Sequence, residues 1–180
     1  YRHEVASRKE TGKFYEDLDT TDISNRLTSC LNRMLKTVSK STNGNGSQMR
    51  GVKKSKNNFF NFKGNSGEKK YLPHKNFNSG NLEEDMDIQK IYYGKCALYI
   101  YKYIQESDIK KYYLKVLNVD SKKQICQISI SPSVYNYLSD KLIDIPEKKD
   151  EALNYYLCFS GTLEKDNYSY KCKLKDSRLL

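Results

Sequence analysis

The side chains able to do chemistry in this 180-residue chain are mainly aromatic and basic. There are sixteen Tyr, and 32 Lys plus Arg against 22 Asp plus Glu, a net charge of +10. Tyrosine is a face on which a planar base can stack, and lysine is a phosphate contact. A field of this sign favours polyanions: nucleic acid first, an acidic membrane surface or acidic protein second. The richness in Lys, Asn and Tyr also matches the bias of an AT-rich genome, which raises basic charge without functional cause. Catalytic material is thin. The two histidines, His3 and His74, stand beside no Ser or Cys in a recognisable arrangement, and G-x-x-x-x-G-K-[ST], G-x-G-x-x-G and H-E-x-x-H are all missing. The acids are too scattered to nominate a carboxylate pair for general acid–base work. The chain therefore reads as non-enzymatic, with no catalytic residue, no metal ligand and no cofactor.

The five cysteines, Cys30, Cys96, Cys126, Cys158 and Cys172, form no C-x-x-C pair, so a zinc ribbon or thioredoxin-type site has no support. Four lie in strand-like runs among apolar residues, as buried free thiols do. Free thiols imply a reducing, intracellular compartment, and a nuclear one if the polyanion is DNA. Paired cysteines and a secreted origin stay open. The chain begins at Tyr1 without Met and reads as a processed or truncated piece. With a mean hydropathy of −0.84, no stretch approaches the roughly 18 apolar residues a membrane span needs.

Three regions must position the candidate residues. The first, 1–40, holds an amphipathic helix over about 21–39. Ile23, Leu27, Cys30, Leu31, Met34, Leu35 and Val38 follow one another at helical spacing, forming a continuous apolar stripe. Asp19, Thr20, Thr21 and Asp22 offer N-terminal capping and negative charge. The stripe must bury itself, either on the following domain or in the groove of a partner. Under the second reading Ile23, Leu27, Leu31, Met34, Leu35 and Val38 are partner-docking residues.

The second region, 41–90, reads as a basic Asn/Gly-rich linker. Nine Asn and six Gly but only eight hydrophobic residues occupy 41–81, too little apolar surface to offset ordering entropy. Eight Lys or Arg face one acid, Glu68, between Arg50 and Lys75. Lys53, Lys54 and Lys56 next to Phe59, Phe60 and Phe62 make a basic arm suited to phosphates and exposed bases. The same phenylalanines could instead anchor on the folded domain.

The third region, 91–180, is β-rich. Period-two alternation marks a long strand over 91–104, with Cys96, Leu98 and Ile100 on one face and Ala97, Tyr99, Tyr101 and Tyr103 on the other. Gly94 is the place for a bulge or sharp coil. Strands at 112–119 and 124–130 are joined by the turn Asp120-Ser121-Lys122-Lys123. Ser131-Pro132 then starts a short helix. Strands at 153–163 and 168–175 follow, with Gly161 as a bend. Tyr170, Cys172 and Leu174 point inward from the last strand, and Lys171 and Lys173 outward.

Three strands, a helix and two strands is the element order of the OB-fold, a five-stranded Greek-key barrel. The closing run YYLCFSGTLEKDNYSYKCKLKDSRLL resembles the last two strands of OB domains in the replication-protein-A and telomere-capping group. That resemblance covers half of the chain and rests on element order rather than an invariant motif. A PH-like domain is the competing architecture, but it needs seven strands and a closing helix.

The fold expected is mainly β: an OB-like barrel preceded by the amphipathic helix and a disordered linker. The resemblance implies a subunit of a complex for DNA replication or telomere maintenance. It would bind single-stranded DNA or RNA, or serve as a structural subunit with protein partners on the helix and barrel. The binding residues expected are Tyr99, Tyr101, Tyr113, Lys115, Lys122, Lys123, Lys165, Tyr168, Lys171 and Lys173. A protein–protein module, either a PH-like adaptor or a secreted parasite-type interaction domain, is the alternative.

Overall fold

A computed structural model describes residues 20–41, 61–63, 69–71, 73–79, 82–83, 86–106, 108–141 and 145–174. Its elements are α1 (Thr20–Ser41), β1 (Asn61–Lys63), β2 (Lys69–Tyr71), β3 (His74–Asn76), β4 (Lys90–Gln105), β5 (Asp108–Leu117), β6 (Gln124–Ile130), α2 (Pro132–Lys141), β7 (Leu153–Asp166) and β8 (Ser169–Leu174). The fold is mainly β. β1 and β2 form a separate antiparallel pair, and the other six strands form one mixed sheet in the order β3-β4-β5-β6-β8-β7. β4 also pairs with β7, so the sheet curls back on itself.

Two long strands make that return possible. β4 pairs with β7 over Lys90–Leu98 and with β5 from Ala97 onward. β7 pairs with β4 up to Gly161 and with β8 from Gly161 to Asp166. The ring is uneven, since β6 and β8 meet in parallel only from Cys126 opposite Tyr170 to Ile128 opposite Cys172. Inside it lie the apolar members of the alternating strands: Cys96, Leu98 and Ile100, then Leu114 and Val116, Cys126 and Ile128, Leu157, Phe159 and Leu163, and Cys172. α2 starts where expected, with Ser131 Oγ accepting from the Val134 N–H at 3.3 Å. Its Val134, Tyr135 and Leu138 pack on this core.

Gly94 acts differently from the expected bulge or sharp coil. The pairing of β4 with β7 runs unbroken through Gly94, and the irregularity of β4 lies instead at Tyr103/Ile104. Gly94 has φ +153, and a Cβ there would sit 2.9 Å from Asn76 Oδ1 and 3.0 Å from the Phe77 ring. It makes room for the chain segment that precedes β4. Gly161 is the residue at which β7 passes from β4 to β8. A Cβ there would lie 2.5 Å from the Lys173 carbonyl oxygen and 2.9 Å from Cys172 Sγ. Gly161→Ala is therefore expected to cost about 1–3 kcal/mol or more by overpacking. An unchanged urea midpoint would show that β8 can give way.

The folded unit begins before 91, not at that residue. Ile91 N–H donates to the Pro73 carbonyl at 3.0 Å and Phe77 N–H to the Tyr93 carbonyl at 3.1 Å. β3 pairs in parallel with His74 opposite Ile91, and Phe77 and Leu82 are buried in the core. The end of the expected linker is thus part of the sheet, because two bulky apolar residues are enough to hold a short polar strand in place.

α1 lies across β7 and β4. Ile23, Leu27 and Cys30 are buried, and Cys30 meets Cys158 on the outer face of β7. Of the two readings of its stripe, Ile23 and Leu27 follow the intramolecular one. β7 is apolar on both faces at Tyr156–Phe159, and its outer face needs a cover. Leu31 and Met34 are half-buried, Leu35 is 45% exposed, and the Val38 side chain lies outside the described residues.

Candidate nucleic-acid interface

Alternation on β4, β5, β6 and β8 turns a second set of residues away from the core, and the strand register sets them in rows. Tyr99 stands opposite Lys115, Lys115 opposite Gln127, Gln127 opposite Lys171, and Lys171 opposite Glu164. One step along, Tyr101 stands opposite Tyr113 and Tyr113 opposite Ser129. Directly opposed side chains on one face are about 4.5–5.5 Å apart at Cβ, so each row is a continuous surface.

At the centre is Lys115. Its Nζ lies 5.3 Å from the Tyr101 ring centre and 5.6 Å from that of Tyr113, within reach of both π faces. It also donates to Gln127 Oε1. The two rings are 6.5 Å apart and tilted by 31°. Burial holds the Lys115 ammonium below the ordinary lysine pKa, with Asp166 opposing and Lys171 adding to the shift. Burial, then Tyr101, raises the Tyr99 phenol. Tyr101 is 45% exposed, while Tyr99, Tyr113 and Gln127 are half-buried. The arrangement can take a flat, electron-rich ring on its aromatic members and an anion on its ammonium groups.

Lys171 flanks this centre, bound to Asp166 at 3.1 Å. Lys173 of β8, opposite Thr162 of β7, is exposed. The remaining candidates gather at one end of the sheet. β6 and β8 run parallel from neighbouring starts, so the β5–β6 turn bearing Lys122 and Lys123 and the β7–β8 turn bearing Tyr168 lie side by side. Gln124 Nε2 donates to Ser169 Oγ at 2.8 Å, joining them. Asn118 Oδ1 shapes the first turn by accepting from the Asp120 and Ser121 N–H groups at 3.0 and 2.9 Å. This is an Asx-type turn that presents both lysines to solvent. Tyr168 is fully exposed. Lys165 is engaged with Glu83 at 2.7 Å and stands apart from the tyrosine pair.

Sequence reasoning missed Gln127 and Ser129, neutral residues between Cys126, Ile128 and Ile130. The alternation of QICQISI was the signal, because it fixes their parity opposite to the core. Of the basic arm, Phe62 falls in β1 opposite Lys70, and its side chain lies outside the described residues. Lys53, Lys54, Lys56, Phe59 and Phe60 lie outside them altogether.

All five thiols are free and buried. Burial pushes Cys96 and Cys172 up to about 12. The hydrogen bond to Cys30, together with burial, pushes Cys158 up as well. Among the described residues no group of three or more His, Cys, Asp or Glu is arranged to hold a metal ion. None of their helices is long and apolar enough to cross a membrane. No family model, curated protein or solved structure matches the chain.

Proposed function

We propose that this chain is a non-enzymatic, OB-like subunit that binds single-stranded DNA or RNA on the outer face of β4, β5, β6 and β8, within a complex that handles nucleic acid. The observation that carries the reading is the Tyr101–Tyr113 pair with the Lys115 ammonium over both rings. It joins a stacking platform to a cation, the combination that single-strand binding uses. The OB assignment is supported by the ring order β4-β5-β6-β8-β7, with β7 returning to β4 and α2 between β6 and β7. The Greek-key barrel of that fold uses the face of its second and third strands and the loops flanking it. Those correspond here to β5 and β6, with the β7–β8 turn at one end.

A fluorescence-anisotropy titration of the full chain against single-stranded DNA and RNA of about 12 nucleotides tests the reading. Binding should weaken as salt rises, with a log–log slope near −0.7 per phosphate contacted. No binding at low salt would overturn it. A second reading, docking of a protein partner, is favoured by the far end of the β4–β5 hairpin. There Tyr103 and Ile104 are 44% and 58% exposed, and such aromatic and apolar surface suits the centre of a protein interface.

A further inference from the structure

We propose that Cys30 and Cys158 form an oxidation site, at which a peroxide closes a disulfide that fastens α1 to the outer face of β7. Cys30, with Ile23 and Leu27, is buried where α1 crosses β7. Cys158 stands opposite Tyr93 of β4, and its place in β7 is of opposite parity to the core residues Leu157 and Phe159. The two sulfurs are in hydrogen-bond contact, the Cys158 S–H donating to Cys30, and both lie near the Tyr93 hydroxyl. A disulfide needs Cβ atoms about 3.5–4.5 Å apart and an S–S bond of about 2.05 Å. Thiols already in contact reach that geometry by a small approach of the helix. α1 can make the approach, because its grip on the sheet loosens past Cys30, where Leu31 and Met34 are only half-buried.

A small oxidant has a route to the pair. A cavity of about 220 Å³ lies between α1 and the barrel, with Leu27, Thr28 and Leu31 on one side and Leu157 and Cys158 on the other. Thr28 is exposed, so the cavity meets solvent at the edge of the helix, and Cys158 is in its wall. The hydrogen bond from Cys158 lowers the Cys30 thiol against the opposing effect of burial, and the charge of Arg33 adds to the lowering. Cys30 is therefore the sulfur that becomes thiolate and attacks. Its attack breaks the O–O bond of the peroxide, leaving Cys30 as a sulfenic acid and releasing one water. The Cys158 sulfur then displaces the sulfenic oxygen, which leaves with the thiol proton as a second water. Two thiols are oxidised to one disulfide, and one peroxide is reduced to two waters. Cys96, Cys126 and Cys172 lie inside the ring of strands, line no part of this cavity, and stay reduced.

The full chain, reduced and then treated with hydrogen peroxide while folded, should lose two of its five thiols. Tryptic digestion without reductant, followed by mass spectrometry, should show peptide 27–33 joined to peptide 150–165. The midpoint of thermal melting should rise by roughly 5–15 °C, because the link closes a long loop of the unfolded chain. Dithiothreitol should reverse both changes. Cys30→Ala should show no rise on peroxide treatment. The comparison is between treated and untreated samples of the same variant, so the cost of removing a buried sulfur cancels. Cys158→Ala gives the same test from the other side of the pair. Five thiols remaining after treatment, or a link formed among Cys96, Cys126 and Cys172 instead, would overturn the site. A link between Cys30 and Cys158 with an unchanged melting midpoint would overturn the fastening of α1.

Discussion

Phe159→Ala should lower the free energy of unfolding by about 3–5 kcal/mol, the range for removing a buried aromatic ring. Phe159 is 1% exposed and sits where three parts of the chain meet. Its ring stacks on Tyr92 of β4 at 5.3 Å and faces Phe77 of the segment before β4 at 6.5 Å. Total stabilities of domains run to about 5–15 kcal/mol, so this one change should remove a large share. Urea unfolding followed by circular dichroism should show a much lower midpoint with little change in slope. The segment at 73–89 loses its aromatic anchor in the variant and should become the first site of limited proteolysis. A loss below about 1 kcal/mol would mean that the aromatic cluster does not hold the ring of strands together.

Removing the stacking platform should have the largest effect on ligand binding. Tyr113→Ala takes away one ring beneath Lys115, and the loss of a stacked base is worth about 1–3 kcal/mol, roughly 5- to 150-fold in affinity. Tyr101→Ala belongs at the lower end of that range, because its ring is partly solvated in the unbound protein. Tyr101→Phe should bind as the unaltered protein does, since stacking uses the ring and not the hydroxyl. Lys115→Ala should instead flatten the salt dependence by roughly one phosphate contact. These three behaviours separate stacking from simple charge attraction. If Tyr101→Ala and Tyr113→Ala both bind normally while the salt slope stays steep, binding comes from the basic residues at 50–75 and the barrel face is bystander surface.

Much of this architecture was legible from local pattern. Cys96, Leu98 and Ile100 alternate with Tyr99 and Tyr101, and Tyr170 and Cys172 with Lys171 and Lys173. In a strand that parity separates core from surface before any partner strand is known. Ser131-Pro132 marked the start of α2, and the spacing of Ile23, Leu27 and Cys30 marked α1. The address of α1 was also written faintly in β7, where Tyr156 and Cys158 are apolar on the face opposite Leu157 and Phe159. A strand apolar on both faces is a strand covered on both sides.

The tertiary structure decided what depends on pairing between distant segments. β3 is three residues, HKN, with no apolar alternation. It exists because β4 offers a free edge and because Phe77 and Leu82 reach the core, so composition alone placed it in a disordered linker. The functional face was decided in the same way. Tyr101, Lys115, Gln127 and Lys171 lie on four strands across 71 positions, and only the register makes them neighbours. Residue type and alternation establish which way each side chain points, because those are properties of one strand. Which side chains meet depends on hydrogen-bond register between strands, and a slip of one residue there would turn the whole set to the other face.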